Sequence, residues 1–236
     1  MRDAWQEAAT DYSSHMPHTC RFAAVVFDLD GILIESEAIW DTVRRELAAA
    51  EDRPWPDDAT AAMMGMSTPE WSGYLATTVG ISGTPAEIAD RVIDGVAGHY
   101  AHHLPAIPGG AAAVRRMAAH HKVGVASSSP RRLIDRVVRE LGLADVLTTT
   151  VSTEEVAAGK PAPDGYLKAC SLLGVDPADA VGVEDSTNGI KSLRNAGMTV
   201  IAIPPSFHAP SAETLALADV VIDSLDELTE NLLATL

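Results

Sequence analysis

Side chains able to do chemistry follow four apolar segments of the sequence, at the point where each segment stops. They are Asp28 and Asp30 after the first segment, Ser127, Ser128 and Ser129 after the second, Lys160 beyond the third, and Glu184 and Asp185 after the fourth. In an open parallel sheet, ligands bind beyond the carboxyl ends of the strands. If the four segments are strands of one such sheet, the chain brings four carboxylates, a group of hydroxyls and one ammonium to a common site.

The carboxylates of such a set repel one another unless a cation neutralises them. Because no histidine or cysteine stands among them, their hard oxygen atoms favour Mg²⁺ over zinc. A carboxylate is also a competent nucleophile toward phosphorus. A second carboxyl two residues later could give a proton to the leaving oxygen and take one from water. Mg²⁺, Lys160, the Ser127 hydroxyl and N–H groups at a helix start could bind the oxygens of the phosphoryl group, so the set points to phosphoryl transfer.

The apolar segments have the length and the bounding turn residues of buried strands. The predicted strands are Phe22–Phe27, Lys122–Ala126, Ala180–Val183, Thr199–Ile203, Val220–Ile222 and a weaker, Thr-rich candidate at Val146–Val151. Helical patterns lie between them, at Pro108–His121, from a Ser129 N-cap to Leu141, at Pro163–Leu173 and at Thr187–Ala196. Strands that alternate with helices of this length predict an α/β fold with a mostly parallel sheet and helices on both faces.

One segment breaks this alternation. From Ala38 to Ala106 the sequence is helical or turn-like, and no strand-like run occurs. We therefore expect an all-helical insertion after the first strand, with linkers near residues 36–38 and 104–109. The expected organisation is an N-terminal arm at residues 1–20, an α/β core at 21–37 and 107–236, and a helical unit at 38–106.

The motifs at the strand ends resemble those of a known superfamily. Phe27-Asp-Leu-Asp-Gly31, Val125-Ala-Ser127, Lys160-Pro-Ala-Pro163 and Gly182-Val-Glu-Asp-Ser186 are similar, in order and spacing, to the four motifs of haloacid dehalogenase (HAD) superfamily hydrolases. The resemblance covers about residues 22–225. The helical insertion and Ile34-Glu-Ser-Glu37 resemble the β-phosphoglucomutase-like group of phosphatases within it. It implies a Rossmann-like core with an inserted cap that closes over the substrate.

The resemblance also implies a role for each matching residue. Asp28 would be the nucleophile, and Asp30 the general acid and base with its backbone carbonyl on the metal. Ser127, Ser128 and Lys160 would bind the phosphoryl group. The metal ligands would be Asp28, Asp30 and Asp185, with Glu184 either on the ion or in contact with its ligands. Gly31 would let the chain turn close to the site.

The net charge of the chain indicates which classes of molecule it can bind. The 236 residues carry 17 basic and 33 acidic side chains, so the formal net charge is 17 − 33 = −16. Such a surface repels nucleic acid and anionic membranes. We expect a small phosphorylated metabolite as substrate and Mg²⁺ as cofactor.

Two cysteines make no disulfide framework, and residues 1–20 lack a signal-peptide pattern, so we expect a cytoplasmic protein. Nothing indicates a coiled coil, and we expect a monomer.

Two enzymatic functions stay open: a phosphatase of sugar phosphates, and a β-phosphoglucomutase that transfers the phosphoryl group between two positions of a sugar. A mutase must hold a bisphosphate at both ends and so needs a cation in the cap. The cap has no lysine, and its arginines are Arg44, Arg45, Arg53 and Arg91. In the mutases that the family contains, arginine follows Gly-x-Ser, where this chain has Thr68, and a histidine stands where it has Trp40. Both departures favour the phosphatase and a substrate with a neutral distal part.

Overall fold

The computed structural model describes residues 21–63, 66–205 and 209–236. The arm expected at residues 1–20 lies outside this part of the chain.

A six-stranded sheet forms the centre of the described structure. Its strands run parallel in the order β3-β2-β1-β4-β5-β6. They are β1 Ala24–Phe27, β2 Lys122–Ser127, β3 Thr149–Ser152, β4 Ala180–Glu184, β5 Thr199–Ala202 and β6 Val220–Val221. Phe27 pairs with Val125 of β2 on one side and Val183 of β4 on the other, so the residues that follow these three strands leave the sheet side by side. The predicted parallel α/β fold is confirmed.

Helices connect the strands. They are α1 Glu37–Ala50, α2 Ala59–Met63, α3 Thr68–Tyr74, α4 Pro85–His102, α5 Gly110–Ala118, α6 Arg131–Glu140, α7 Asp164–Leu173, α8 Thr187–Ala196, α9 Ala212–Leu215 and α10 Glu230–Leu233. A π-helical turn extends α3 over Leu75–Val79, and 3₁₀ turns occupy Thr153–Glu155, Pro177–Asp179 and Leu225–Glu227.

Both faces of the sheet are buried, because alternate residues of a strand point to opposite sides. Val25 and Phe27 join a core with residues of α5 and α6, such as Met117 and Leu133. Ala24 and Val26 join a second core with residues of α7 and α8, which include Tyr166, Ala169, Leu173, Ile190 and Leu193. All four residues of β1 are fully buried. This is why its sequence is a continuous apolar run rather than an alternating one.

The helices α1 to α4 lie between β1 and β2, in the segment where the sequence predicts no strand. Two backbone hydrogen bonds join the chain entering this segment to the chain leaving it: Glu35 N–H donates to the Pro105 carbonyl at 2.8 Å, and Ile107 N–H donates to the Leu33 carbonyl at 2.9 Å. The two connections therefore run next to each other at the carboxyl-terminal edge of β1.

One predicted helix start is wrong. The sequence predicts Ser129 as the N-cap of the helix after β2, but Pro130 occupies the N-cap position of α6, and no side chain caps it. The Ser129 hydroxyl instead donates to Asp30 at 2.7 Å. The Ser129 side chain is thus oriented toward the Asp30 carboxylate rather than over the first N–H groups of the helix, and it does not cap α6.

Candidate active site

A buried ammonium joins two of the predicted carboxylates. Lys160 Nζ donates to Asp28 Oδ1 and to Glu184 Oε1, each at 2.6 Å. The three side chains are 9%, 8% and 0% exposed, respectively. Burial opposes the charged form of Lys160, but the two carboxylates outweigh it and raise its pKa above the usual value. The ends of β1 and β4 are thus bridged by one positive charge.

Glu184 is held by donors on both of its oxygens. Oε1 accepts from the Tyr166 hydroxyl at 2.8 Å as well as from Lys160. Oε2 accepts from the N–H groups of Asp185 and Ser186 and from the Ser186 hydroxyl, at 3.0 to 3.1 Å. Burial acts to raise the pKa of Glu184, but Lys160 and these hydrogen bonds together lower it. Glu184 is therefore a fixed, ionised acceptor at the base of the site.

Three carboxylates face a common centre. Among the residues that the structure describes, Asp28, Glu184 and Asp185 each offer one oxygen, and these atoms lie within 4.8 Å of one another. Burial raises the pKa of both Asp28 and Asp185. For Asp185, the negative charge of Glu184 raises the pKa further. One ammonium does not neutralise the two buried carboxylates and the half-buried Asp185, and a donor set made only of carboxylate oxygens suits a hard divalent cation. The set fits Mg²⁺, as the sequence predicts.

Two glycines let the backbone approach these carboxylates. Gly31 has a φ of +83°, and a Cβ there would lie 1.9 Å from Asp185 Oδ2. A Cβ on Gly189, in the first turn of α8, would lie 1.7 Å from Glu184 Oε1. A side chain at either position would displace a carboxylate of the set.

Asp30 stands apart from the three-carboxylate set and is surrounded by serines. Its Oδ1 accepts from the Ser36 hydroxyl at 2.5 Å, and its Oδ2 accepts from Ser129 at 2.7 Å and from Ser127 at 3.2 Å. The Ser127 hydroxyl in turn accepts from the Ser129 N–H at 2.9 Å. These donors from the end of β2 and from the start of α1 fix the orientation of the Asp30 carboxyl.

A cavity of about 500 Å³ opens over this cluster. Asp28, Asp30, Lys160, Asp185 and the exposed Ser128 line it from the sheet edge. The opposite wall comes from α1, from the end of α2 and from α3, and includes Trp40, Arg44, Met63 and Trp71. A small molecule in the cavity would thus contact both the carboxylates and the helical segment.

The structure brings together every residue that the sequence singles out at the strand ends. Arg131, which follows the serine cluster, pairs with Glu155 at 2.6 Å and donates to the Thr150 hydroxyl, so its guanidinium is engaged by protein groups. Sequence reasoning missed Tyr166 and Ser36. Tyr166 occupies an apolar position on α7, and no motif or spacing marks it as a partner of Glu184.

Comparison with known proteins identifies relatives over most of the chain. A family model described as a haloacid dehalogenase-like hydrolase matches residues 22–197. Hexitol phosphatase B of Escherichia coli K12 is 32% identical over 219 residues, which is 87% of this chain and 94% of that protein. Beta-phosphoglucomutase of Bacillus subtilis is 28% identical over 218 residues, which is 89% of this chain and 93% of that protein.

The solved structures agree on the architecture. The structure of CbbY from Rhodobacter sphaeroides in complex with phosphate superposes with a TM-score of 0.77. The match covers 88% of this chain and 96% of that one, at 24% sequence identity. At this identity the likeness concerns the fold.

The close contact at Gly189 yields a stability prediction. Replacing glycine by alanine inside a helix ordinarily stabilises it by up to about 1 kcal/mol. We expect the opposite for Gly189→Ala, a loss of about 1–3 kcal/mol, because the new methyl group overlaps the hydrogen-bonded Glu184 carboxylate. Urea unfolding of Gly189→Ala and of the matched control Gly98→Ala, whose Cβ would meet nothing within 4 Å, measures both effects. Equal stabilisation in the two variants would contradict the placement of Glu184 against α8.

Proposed function

The chain belongs to the haloacid dehalogenase-like hydrolase family and is a phosphoric monoester hydrolase, and from this premise we propose that it is a Mg²⁺-dependent phosphatase of sugar phosphates that works through an aspartyl-phosphate intermediate. The observation that carries the proposal is the bridge from Lys160 to Asp28 and Glu184 beneath the cavity. It couples a nucleophile to a positive charge able to bind phosphoryl oxygens. The name of the hexitol phosphatase relative supports the substrate class.

We assign the first half-reaction to Asp28 and Asp30. A carboxylate oxygen of Asp28 forms a bond to phosphorus, and the bond from phosphorus to the ester oxygen breaks. The Asp30 carboxyl gives its proton to that oxygen, so the alcohol leaves neutral. The hydroxyls of Ser36, Ser127 and Ser129 hold Asp30 in a fixed orientation for this transfer.

The second half-reaction reverses the role of Asp30. Its carboxylate takes a proton from a water molecule as the water oxygen bonds to phosphorus, and the bond to the Asp28 oxygen breaks. Inorganic phosphate leaves, Asp28 regains its carboxylate, and Asp30 is again protonated. One ester and one water are consumed, and one alcohol and one phosphate are produced.

Positive charge and hydrogen-bond donors must hold the phosphoryl oxygens during both steps. We assign this to Lys160 and to the serine cluster at the end of β2, with Ser127 and Ser128 closest to the sheet edge. Asp28 and Asp185, with the backbone carbonyl of Asp30, would hold Mg²⁺, and Glu184 would orient this set and Lys160. When bound, the ion supplies charge that offsets the phosphoryl oxygens and the carboxylates.

We further propose that residues 38–106 are a cap over a core made of residues 21–37 and 107–236. The cavity between the two groups of residues and the paired connections at Glu35 and Ile107 support this division. A cap that closes over the substrate excludes bulk water from the reacting groups.

We propose a cytoplasmic monomer. Across the described part of the chain, no helix has the length and apolar character that a bilayer crossing requires.

A second candidate is a β-phosphoglucomutase activity, which the relative from Bacillus subtilis favours. A mutase retains a bisphosphate and must neutralise its second phosphoryl group. In this chain Thr68 and Trp40 line the cavity, where the mutases of the family carry cationic or titratable side chains. The phosphatase therefore remains the proposed activity.

Replacing the proposed nucleophile tests the reaction directly. Asp28→Asn keeps the size of the side chain but removes its nucleophilic oxygen, so we expect release of phosphate from p-nitrophenyl phosphate to fall by roughly 10³-fold or more. Circular dichroism should show a folded protein. The matched control is Asp135→Asn on the exposed face of α6, which should keep wild-type turnover. Undiminished turnover in Asp28→Asn would remove Asp28 from the mechanism.

Removing divalent ions tests the cofactor. The carboxylate set lacks enough positive charge of its own, so excess EDTA should reduce phosphate release to background, and added MgCl₂ should restore it. A titration of activity against Mg²⁺ concentration makes the measurement quantitative. Full activity in the presence of EDTA would contradict the assignment of Asp28 and Asp185 as metal ligands.

A further inference from the structure

Arg44 is buried in the cavity wall without a polar partner. Its side chain is on the face of α1 that also carries Glu37 and Trp40, at spacings of seven and four residues, and all three line the cavity. Arg44 is 6% exposed, and its Nε atom has no hydrogen-bond partner. Its guanidinium lies 5.3 Å from the ring centroid of Trp40 and 5.1 Å from that of Trp71. The guanidinium therefore lies against both indole rings, and its Nε–H has no acceptor.

This burial distinguishes Arg44 from neighbouring arginines. Arg45 pairs with Asp41, Arg91 with Glu51 and Arg132 with Asp94, and each of these is at least 40% exposed. Arg44 forms no ion pair with any residue in the described part of the chain. A buried guanidinium without a counter-charge or acceptor costs stability, and the cost is offset when a ligand supplies the missing hydrogen bonds.

Glu37 presents the complementary deficiency on the same helix face. Its Oε1 is buried and has no hydrogen-bond partner. Glu37 and Arg44 form no hydrogen bond with each other. Burial raises the pKa of Glu37 and lowers that of Arg44, and the charge of each residue opposes this shift in the other. The cavity wall formed by α1 therefore carries one guanidinium N–H without an acceptor and one carboxylate oxygen without a donor.

We propose that Arg44 and Glu37 bind two hydroxyl groups of the substrate, at the end remote from the phosphoryl group, and so select phosphorylated polyols and sugars. A hydroxyl both accepts and donates, so one can accept from Arg44 while its neighbour donates to Glu37. A carboxylate or second phosphoryl group would accept from Arg44 but be repelled by Glu37, and an apolar group would leave both unsatisfied. This assignment rests on the proposed phosphatase activity and names the distal part of its substrate.

The test compares two esters in the same variants. Glucitol 6-phosphate carries adjacent hydroxyls, whereas phenyl phosphate carries none. Arg44→Met and Glu37→Met keep an unbranched side chain with an apolar stem but remove the donors and the acceptor. Each should lower the ratio of kcat/KM for glucitol 6-phosphate to that for phenyl phosphate by roughly 10- to 100-fold, the effect of losing hydrogen bonds to a charged group. The matched control Arg91→Met, which removes an exposed arginine of α4, should leave the ratio unchanged.

Two further readouts separate recognition from a structural role. Arg44→Met should unfold at a temperature no lower than the wild type, because a thioether packs between the indole rings without a buried, unpaired charge. A lower unfolding temperature would assign Arg44 to structure. The wild type should also prefer glucitol 6-phosphate over gluconate 6-phosphate, which ends in a carboxylate. A preference for gluconate 6-phosphate would overturn the hydroxyl assignment.

The failures of the two proposals can be told apart. Hydrolysis of both esters with an unchanged ratio in Arg44→Met and Glu37→Met would overturn the role of these residues and leave the phosphatase activity standing. Hydrolysis of neither ester by the wild-type protein with Mg²⁺ would overturn both.

Discussion

The site depends on one buried ammonium shared by two carboxylates. Lys160 stands between Asp28 and Glu184 in a place almost closed to water, where unpaired acidic groups would not stay ionised. The Glu184 carboxylate also accepts hydrogen bonds from the Tyr166 hydroxyl and from the N–H and hydroxyl of Ser186 at the start of α8. Because Glu184 is satisfied by protein groups, Asp28 and Asp185 keep the oxygens that face the common centre available to a metal ion and a substrate.

The order of the strands makes this arrangement possible. Placing β1 between β2 and β4 puts Asp28 next to the serines that follow β2 and the carboxylates that follow β4. Gly31 then turns the chain with a positive φ and leaves space for Asp185. The helical segment leaves and rejoins the sheet at this edge, so Trp40 and Arg44 of α1 line the same cavity as Asp28. The proposed mechanism thus places the chemistry on the wall at the sheet edge, and the proposed selectivity on the wall made by the helices.

The strand ends could be predicted from the sequence, because an apolar run followed by acidic, hydroxyl or basic residues indicates both a strand and the edge of the sheet where ligands bind. The side chains that contact those residues could not be predicted. Tyr166 reaches Glu184, and Arg44 reaches Trp71, only through the packing of helices, which leaves no mark in local spacing. The Ser129-Pro130 pair predicts a helix N-cap, but the Ser129 hydroxyl donates to Asp30, which is distant in sequence. The sequence shows four arginines between residues 38 and 106, but only the fold shows that Arg44 is buried in the cavity wall.

The most direct measurement of the central claim is a crystal structure of the protein grown with Mg²⁺ and beryllofluoride, which mimics a phosphoryl group attached to a carboxylate. The account predicts beryllium bonded to an Asp28 carboxylate oxygen, Lys160 Nζ in contact with a fluorine atom, and Mg²⁺ bound by Asp28 and Asp185. Beryllofluoride bound away from Asp28, or Mg²⁺ bound away from Asp185, would contradict it.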